Sequence, residues 1–385
     1  MKNVALYLSG VDNIKGGGGA ERFFSDFFST YKSWPNKKFK IYFFIDEITL
    51  SAIQSINKLN DTHQVIILKS YSNRFKKELE NIDLYFKLVK FKINIFHCAN
   101  FGRHDFNRLN FVARKTNIKT VLNIVDCQIP YVLANKKDYR YEDYRERYLE
   151  MPYKIKFDGI FSWYEKFLVY INNNGFYKWN PLIKNIYSRF VDQKKFHPSI
   201  KKENTIVFAS RMHFQKKPDW FLKAVKNLKE NYPNIINNWK FLLVGDGDLA
   251  EELEIFIEEC DLNDLVHRLK TADLSEIFSK SSCFVSTQDF ENFPSMSMME
   301  AMACENAIIA RDVGQTNLML KNKVNGFFIE EDNAIGLAMT IKKYIEMDEA
   351  DKRIMQKESL KLVQEVHTPC EFINQIEDFW VNLFC

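Results

Sequence analysis

The sequence predicts an α/β protein of two successive doubly wound domains, each a parallel sheet covered by helices on both faces. Three observations carry this expectation. Short apolar, β-rich runs alternate with amphipathic stretches almost throughout the 385 residues, as strands buried on both faces require. The alternation breaks once, at the polar and basic segment 191–204 with its Pro198, and then restarts. The chain is also too long for one ordinary core and suits two domains of roughly 150–200 residues.

In order along the first half, strands are expected at 4–8, 39–45, 64–68, 93–97, 120–124, 159–162 and 182–187. Helical patterns fall at 20–31 and 73–90. The N-terminal run Val4-Ala5-Leu6-Tyr7-Leu8 reads as a buried strand ending near Gly10, too short in apolar content for a signal peptide. After the break, strands are expected at 206–210, 240–245, 283–286, 307–310 and 326–329, with helices at 219–231, 249–260, 298–304 and 334–346. Two such sheets place their ligand crevices at the carboxyl ends of the strands, where loops can meet across an interdomain cleft.

Composition narrows the class. With 46% hydrophobic and 27% charged residues the chain is globular, not disordered. No run of 18 apolar residues is present, so no membrane span is expected. Seven cysteines are scattered without a C-x-x-C pair, which argues for free thiols in a reducing compartment. Cys98, Cys127, Cys260 and Cys283 sit in or beside apolar runs and read as core filling. The 34 Phe and 17 Tyr are attributed to coding bias in preference to function. Residues 1–200 hold 33 Lys and Arg against 19 Asp and Glu, whereas the remainder holds 21 against 31. Opposite balances imply two domains with different partners, the basic half suiting an anionic surface.

Three motifs carry chemistry. Gly16-Gly17-Gly18-Gly19-Ala20-Glu21-Arg22 lies between the first strand and first helix, where glycines let backbone N–H groups approach a phosphate. It lacks the Gly-Lys-Ser/Thr of a P-loop and the third glycine of a dinucleotide fingerprint. Phe208-Ala209-Ser210-Arg211-Met212-His213-Phe214-Gln215-Lys216 brings Arg211 and Lys216 to a strand end beside a helix start, an arrangement suited to a diphosphate. Taken alone, it also reads as a solvated basic turn. The third motif runs from Gln288 to Cys304, with Glu291 in a loop and Glu300 opening a helix rich in Met and Ala. A carboxylate among apolar groups is costly unless it accepts hydrogen bonds, such as those of sugar or ribose hydroxyls.

In this order the three motifs resemble the large retaining glycosyltransferase family four (glycosyl transferases group 1), of GT-B fold. Val191-Asp192-Gln193-Lys194-Lys195-Phe196-His197-Pro198 is similar to the family's linker, Leu243-Val244-Gly245-Asp246-Gly247-Asp248 to its strand-turn, and Val324-Asn325-Gly326-Phe327 to its late Asn-Gly turn. The resemblance implies two Rossmann-like domains facing across a cleft: an acceptor-side domain at 1–195, a nucleotide-sugar donor domain at 196–365, and a C-terminal helix at 366–385 returning to the first domain. It implies that Arg211 and Lys216, with Gly17 and Gly18, hold the donor diphosphate, that Glu300 binds the ribose, and that Glu291, Asn292 and Phe293 meet the donor sugar. Glu291, Asp126 and His97 are the catalytic candidates, with Asp289 next in line for the role of Glu291; taken alone, His97 also reads as a satisfied core histidine. No metal and no cofactor are implied; the co-substrate is a nucleotide sugar, a UDP-sugar first. The acceptor class is a glycan, a lipid-linked precursor or a protein. Nucleic acid is excluded as a partner because no recognition motif accompanies the basic half.

Three departures from the family pattern stand out. Eight residues separate Glu291 and Glu300 where the family has seven. Val125-Asp126 stands where the family often has His-Asp, and Gly314-Gln315-Thr316-Asn317-Leu318 where it has Gly-Gly followed by Glu. These keep two alternatives open, a non-catalytic GT-B partner subunit and a GT-B nucleotide-sugar epimerase. The expected location is cytoplasmic, with peripheral attachment at the inner face of the membrane. That attachment is read from the helix at 73–90, with apolar Phe75, Leu79, Ile82, Phe86 and Val89 and with Arg74, Lys76, Lys77, Lys87 and Lys90 at its ends, together with the basic segment 136–147. The same helix also reads as core-packed with a solvated face.

Overall fold

Thirteen strands form in the computed structural model, which describes residues 1–8, 19–52, 64–71, 77–99, 105–126, 128–175, 179–187, 189–271 and 273–385. The chain divides into two units, Met1–Tyr187 with Phe372–Cys385, and Ser188–Glu371.

In the first unit β1 (Lys2–Leu8), β2 (Phe39–Asp46), β3 (Val65–Leu68), β4 (Ile93–Cys98), β5 (Lys119–Ile124), β6 (Gly159–Ser162) and β7 (Leu182–Asn185) form one parallel sheet. Its order is β3-β2-β1-β4-β5-β6-β7. The central strands are apolar on both faces because helices cover both: Val4 to Leu8 and Phe43 to Ile45 are buried without alternation. The helix Pro369–Asn382 closes this unit. Its Phe372 packs edge-on against Phe23 and Phe27, and its Trp380 against Phe39. Glu377 accepts from Tyr31 Oη and from the Lys38 backbone N–H. At the start of β6, a Cβ on Gly159 would lie 2.8 Å from Phe379 and Leu383, so a glycine there admits the helix. The abundant Phe residues thus have a structural use.

In the second unit β8 (Thr205–Ala209), β9 (Lys240–Val244), β10 (Val266–Leu269), β11 (Cys283–Ser286), β12 (Ala307–Ala310) and β13 (Gly326–Phe328) form a parallel sheet of order β10-β9-β8-β11-β12-β13. Strand β10 was not anticipated. It is an edge strand reading Val-His-Arg-Leu, with only Val266 fully buried, so its apolar signal is one residue deep. The helix Glu349–Val366 was missed for a related reason: its inward face carries Lys352, Gln356 and Ser359 beside Met355 and Val363. Gln356 donates to Ser282 O and Tyr344 Oη, and Ser359 to Asn325 O, so polar groups do apolar positions' work.

The segment expected as a linker is part of the second unit. Lys202 sends its amine to the carbonyls of Phe278, Ser279 and Cys304, near the ends of the helices Ser275–Lys280 and Met296–Ala303. A cation there complements the carbonyl end of each helix dipole. Burial pushes the Lys202 amine down to about 8.

Candidate active site

In both sheets the strand order reverses beside the first strand, between β1 and β4 and between β8 and β11, and such switch points open a crevice at the carboxyl ends. In the second unit that crevice is edged by three loops that are bonded to one another. The loop after β8 carries exposed Arg211 and then the short 3-10 turn Phe214–Lys216. Met212 N–H donates to Asp246 O in the loop after β9. Gly245 and Gly247 have φ of +128° and +151°, and a Cβ on either would meet Ser210 O at 1.9 Å or Met212 O at 2.6 Å. Only glycine lets these two loops lie so close. On the other side, Thr287 Oγ1 donates to the carbonyls of Lys216 and Lys217, and Asp289 N–H to Gln215 O. A basic turn is therefore anchored beside the switch point.

Gln288 joins the Lys216 amine to the backbone of Glu291. Its Oε1 accepts from Lys216 Nζ and its Nε2 donates to the backbone carbonyl of Glu291. The third motif begins at Gln288, but the sequence assigns this glutamine no role. Glu291 is buried, and its Oε1 accepts from the backbone N–H groups of Phe293 at 2.9 Å and Gln315 at 2.7 Å. Gly314, at φ +57°, passes so close that a Cβ would fall 2.2 Å from Glu291 Oε2. The segment around Gly314, though it departs from the family pattern, thus still cradles Glu291.

Glu300 is 2% exposed on the helix Met296–Ala303, in its second turn and not at its opening as expected. Met298, Met299, Ala301, Met302 and Ala303 around it are buried too. Asn292 and Phe293, expected at the donor sugar, turn inward. Asn292 accepts from Ser286 Oγ and donates to Thr316 Oγ1 and Arg311 O, so its amide braces the ends of β11 and β12. Phe293 is 1% exposed and packs near His367. Asp289 is held by Arg311 at 2.7 Å and by Lys217 at 2.7 Å. Arg311 also forks to Asp332 and lies over the Trp220 ring. The hydrogen bonds from Arg311 hold the Asp332 carboxyl below its usual range. Asp289 is therefore a member of an ion network.

In the first unit the expected residues are not gathered. Gly17 and Gly18 lie outside the described residues. His97, proposed as catalytic from its place after β4's apolar run, is a core side chain. It is fully buried, accepts from Trp380 Nε1 at 3.1 Å, and packs against Phe161. Burial pushes its imidazole down to about 3, so it is uncharged at neutral pH. Asp126 stays partly exposed just past the end of β5, where it accepts from Gln128 N–H at 2.9 Å and Tyr144 Oη at 2.7 Å. Burial, then the neighbouring Asp126, pushes the Tyr144 hydroxyl up, so it remains a donor. Among the described residues no three His, Cys, Asp or Glu gather as a metal-binding group.

Two doubly wound sheets, one with a basic turn and buried carboxylates at its switch point, define a GT-B fold. HepE of Anabaena, solved with UDP and glucose, aligns over 99% of both chains with a TM-score of 0.76 at 15% identity. The pneumococcal O-GlcNAc transferase GtfA, solved with UDP and GlcNAc, aligns over 100% of this chain and 99% of its own with a TM-score of 0.69 at 13% identity. Residues 190–359 match the family model described as Glycosyl transferases group 1. The chain is 26% identical over 221 residues to the UDP-Gal:α-D-GlcNAc-diphosphoundecaprenol α-1,3-galactosyltransferase of Escherichia coli, covering 53% of this chain and 55% of that one. It is 27% identical over 199 residues to a Campylobacter jejuni α-1,4-N-acetyl-D-galactosaminyltransferase acting on a diphosphoundecaprenol-linked glycan, covering 50% and 51%. The chain spans about half the length of these curated relatives.

Proposed function

We propose that the chain is a glycosyltransferase that moves a sugar from a UDP-sugar to a lipid-linked glycan, with retention and without a metal. The observation that carries this reading is the link Lys216–Gln288–Glu291 at the switch point of the second sheet, which holds a phosphate-seeking cation and a buried carboxylate in fixed relation. In this reading Arg211 and Lys216 hold the diphosphate and offset the charge that develops on the departing UDP, a role for fixed cations aimed at growing negative charge. Glu300 accepts the ribose hydroxyls. Glu291, immobilised by two backbone N–H groups, accepts hydroxyls of the transferred sugar. Asp126, steadied by Tyr144, is the acceptor-side candidate.

The UDP reading is supported by the relatives: the E. coli relative is named for UDP-Gal, and the solved HepE and GtfA hold UDP. The lipid-linked acceptor is supported by the diphosphoundecaprenol glycans named for two relatives. The reading includes peripheral attachment at the cytoplasmic face, where a lipid-linked acceptor would be met; among the described residues no helix is long and apolar enough to cross a membrane. The test is to offer the purified chain a panel of UDP-sugars with diphosphoundecaprenol-linked sugars, following UDP release and product mass. Product with one donor supports the reading. UDP release that never requires an acceptor, or the absence of UDP binding, overturns it.

A further inference from the structure

The helix Lys77–Lys90 connects β3 to β4 and is apolar on two faces. One face is packed, through Leu84 and Leu88, which are 0% and 1% exposed. The other is open: Leu79 is 46% exposed, Ile82 49%, Tyr85 42%, Phe86 67% and Val89 57%. The helical repeat of 3.6 residues sets these five on one stripe about a third of the circumference wide. The periodicity that suggests a core-packed face at 79, 82, 86 and 89 therefore marks the outward one. Among the described residues, 20 large apolar side chains are exposed in the chain and five of them lie on these 14 residues, so this is a patch and not scatter.

We infer that this stripe is the surface by which the protein lies on an anionic lipid bilayer, with its apolar side chains entering the headgroup boundary. Three features favour lipid over a second protein. Exposed Lys90 ends the helix and exposed Lys92 follows, a placement in which lysine stems can lie along apolar surface with their charges at the lipid phosphates, whereas Lys87 is taken up by Asp83 and Ile67 O. Lysine is depleted from protein–protein interface cores. Five side chains at this exposure offer a patch of a few hundred Å2, the scale of an interaction site, and less than the roughly 800 Å2 per partner of a stable protein complex. The flanking carboxylates are accounted for. Asp83 pairs with Lys87 and accepts from the Lys69 N–H, Glu80 pairs with Arg108 and accepts from the Tyr71 N–H, and exposed Glu78 lies in the first turn, at the end of the stripe opposite Lys90 and Lys92. The basic balance of residues 1–200 adds long-range attraction of the same sign. The choice of occupant rests on the lipid-linked acceptor reading above.

The test is vesicle co-sedimentation of the whole chain with phosphatidylglycerol–phosphatidylcholine and with pure phosphatidylcholine vesicles. Wild type should pellet with the anionic vesicles, and high salt should release it. Phe86→Ser/Val89→Ser should lower partitioning at least about tenfold, because each exchange removes apolar area. Lys90→Gln/Lys92→Asn should lower it about fivefold or more. Both variants should keep the wild-type circular dichroism and UDP affinity, and transfer to a water-soluble short-chain acceptor should be unchanged. A chain that pellets but transfers nothing would sink the transferase reading and leave this surface standing. Equal recovery in the supernatant with both vesicles would overturn the inference. So would a Phe86→Ser/Val89→Ser variant that pellets like wild type. Sedimentation velocity showing a wild-type dimer and a monomeric Phe86→Ser/Val89→Ser variant, neither binding vesicles, would instead make the stripe a contact between copies.

Discussion

The two sheets share a topology and differ in how their carboxyl ends treat polar side chains. At the β8–β11 switch point, backbone N–H groups and one glutamine amide fix Glu291, and a glycine clears the space beside it. Just past the end of β5, Asp126 is held by its own turn and by one hydroxyl of Tyr144, and it stays partly exposed. His97, on β4 of the same sheet, is absorbed into the core by the C-terminal helix. The lesson is that a carboxylate past a strand end is fixed in the core when loops lend it backbone N–H groups, as at Glu291, and stays partly exposed when its own turn and one hydroxyl hold it, as at Asp126. Backbone anchors cannot be removed by side-chain substitution, so damage in the second unit should come from the functional groups themselves.

That contrast gives an order of expected effects. Glu291→Gln should cost the most, lowering turnover by about 100-fold or more, as loss of a transition-state contact does, while UDP affinity changes little. Full turnover in this variant would mean that the anchored carboxylate has no role in transfer. Gly314→Ala comes next. It puts a methyl within 2.2 Å of the Glu291 carboxylate at a φ that disfavours side chains, so kcat should fall about tenfold or more with some loss of stability. Wild-type kcat would show that the loop yields easily.

Stability against pH reads out the first unit's core. His97 is neutral when folded down to about pH 3, while the unfolded imidazole takes a proton near 6.5. Between those values the unfolded state holds more protons, so stability falls as pH falls, by about 1.4 kcal/mol per pH unit. His97→Asn should therefore lose about 2 kcal/mol less than wild type between pH 7 and pH 5 in urea unfolding. An identical loss would place the imidazole in water. The smallest effect belongs to Tyr144→Phe, which removes one hydrogen bond to Asp126, worth about 1.5–3 kcal/mol to a charged group if fully formed and less at this partly exposed site. The acceptor KM should rise a few-fold with donor KM unchanged; an equal rise in both would detach Tyr144 from the acceptor side.

All twelve strands read from the sequence are present, because fully buried parallel strands are continuous apolar runs that tertiary context rarely overrides. Motif order brings out Arg211, Lys216, Glu291 and Glu300 as candidates, and their roles are proposals. What was not legible was set by partners far along the chain. Nothing near His97 announces Trp380, 283 residues away, and nothing near Glu291 announces Gly314. Asn292 looked available because its three partners Ser286, Arg311 and Thr316 come from three different loops or strand ends. The helix Lys77–Lys90 shows the converse limit: periodicity finds an apolar stripe but does not say which stripe faces inward.

The central claim is that the β8–β11 switch point of the second unit is the nucleotide site. Calorimetric titration of UDP against wild type, Arg211→Ala and Lys216→Ala tests it most directly. A charge-assisted contact to phosphate is worth about 1.5–3 kcal/mol, so each substitution should weaken UDP binding by about 10–150-fold. Affinity unchanged in both variants would contradict the account.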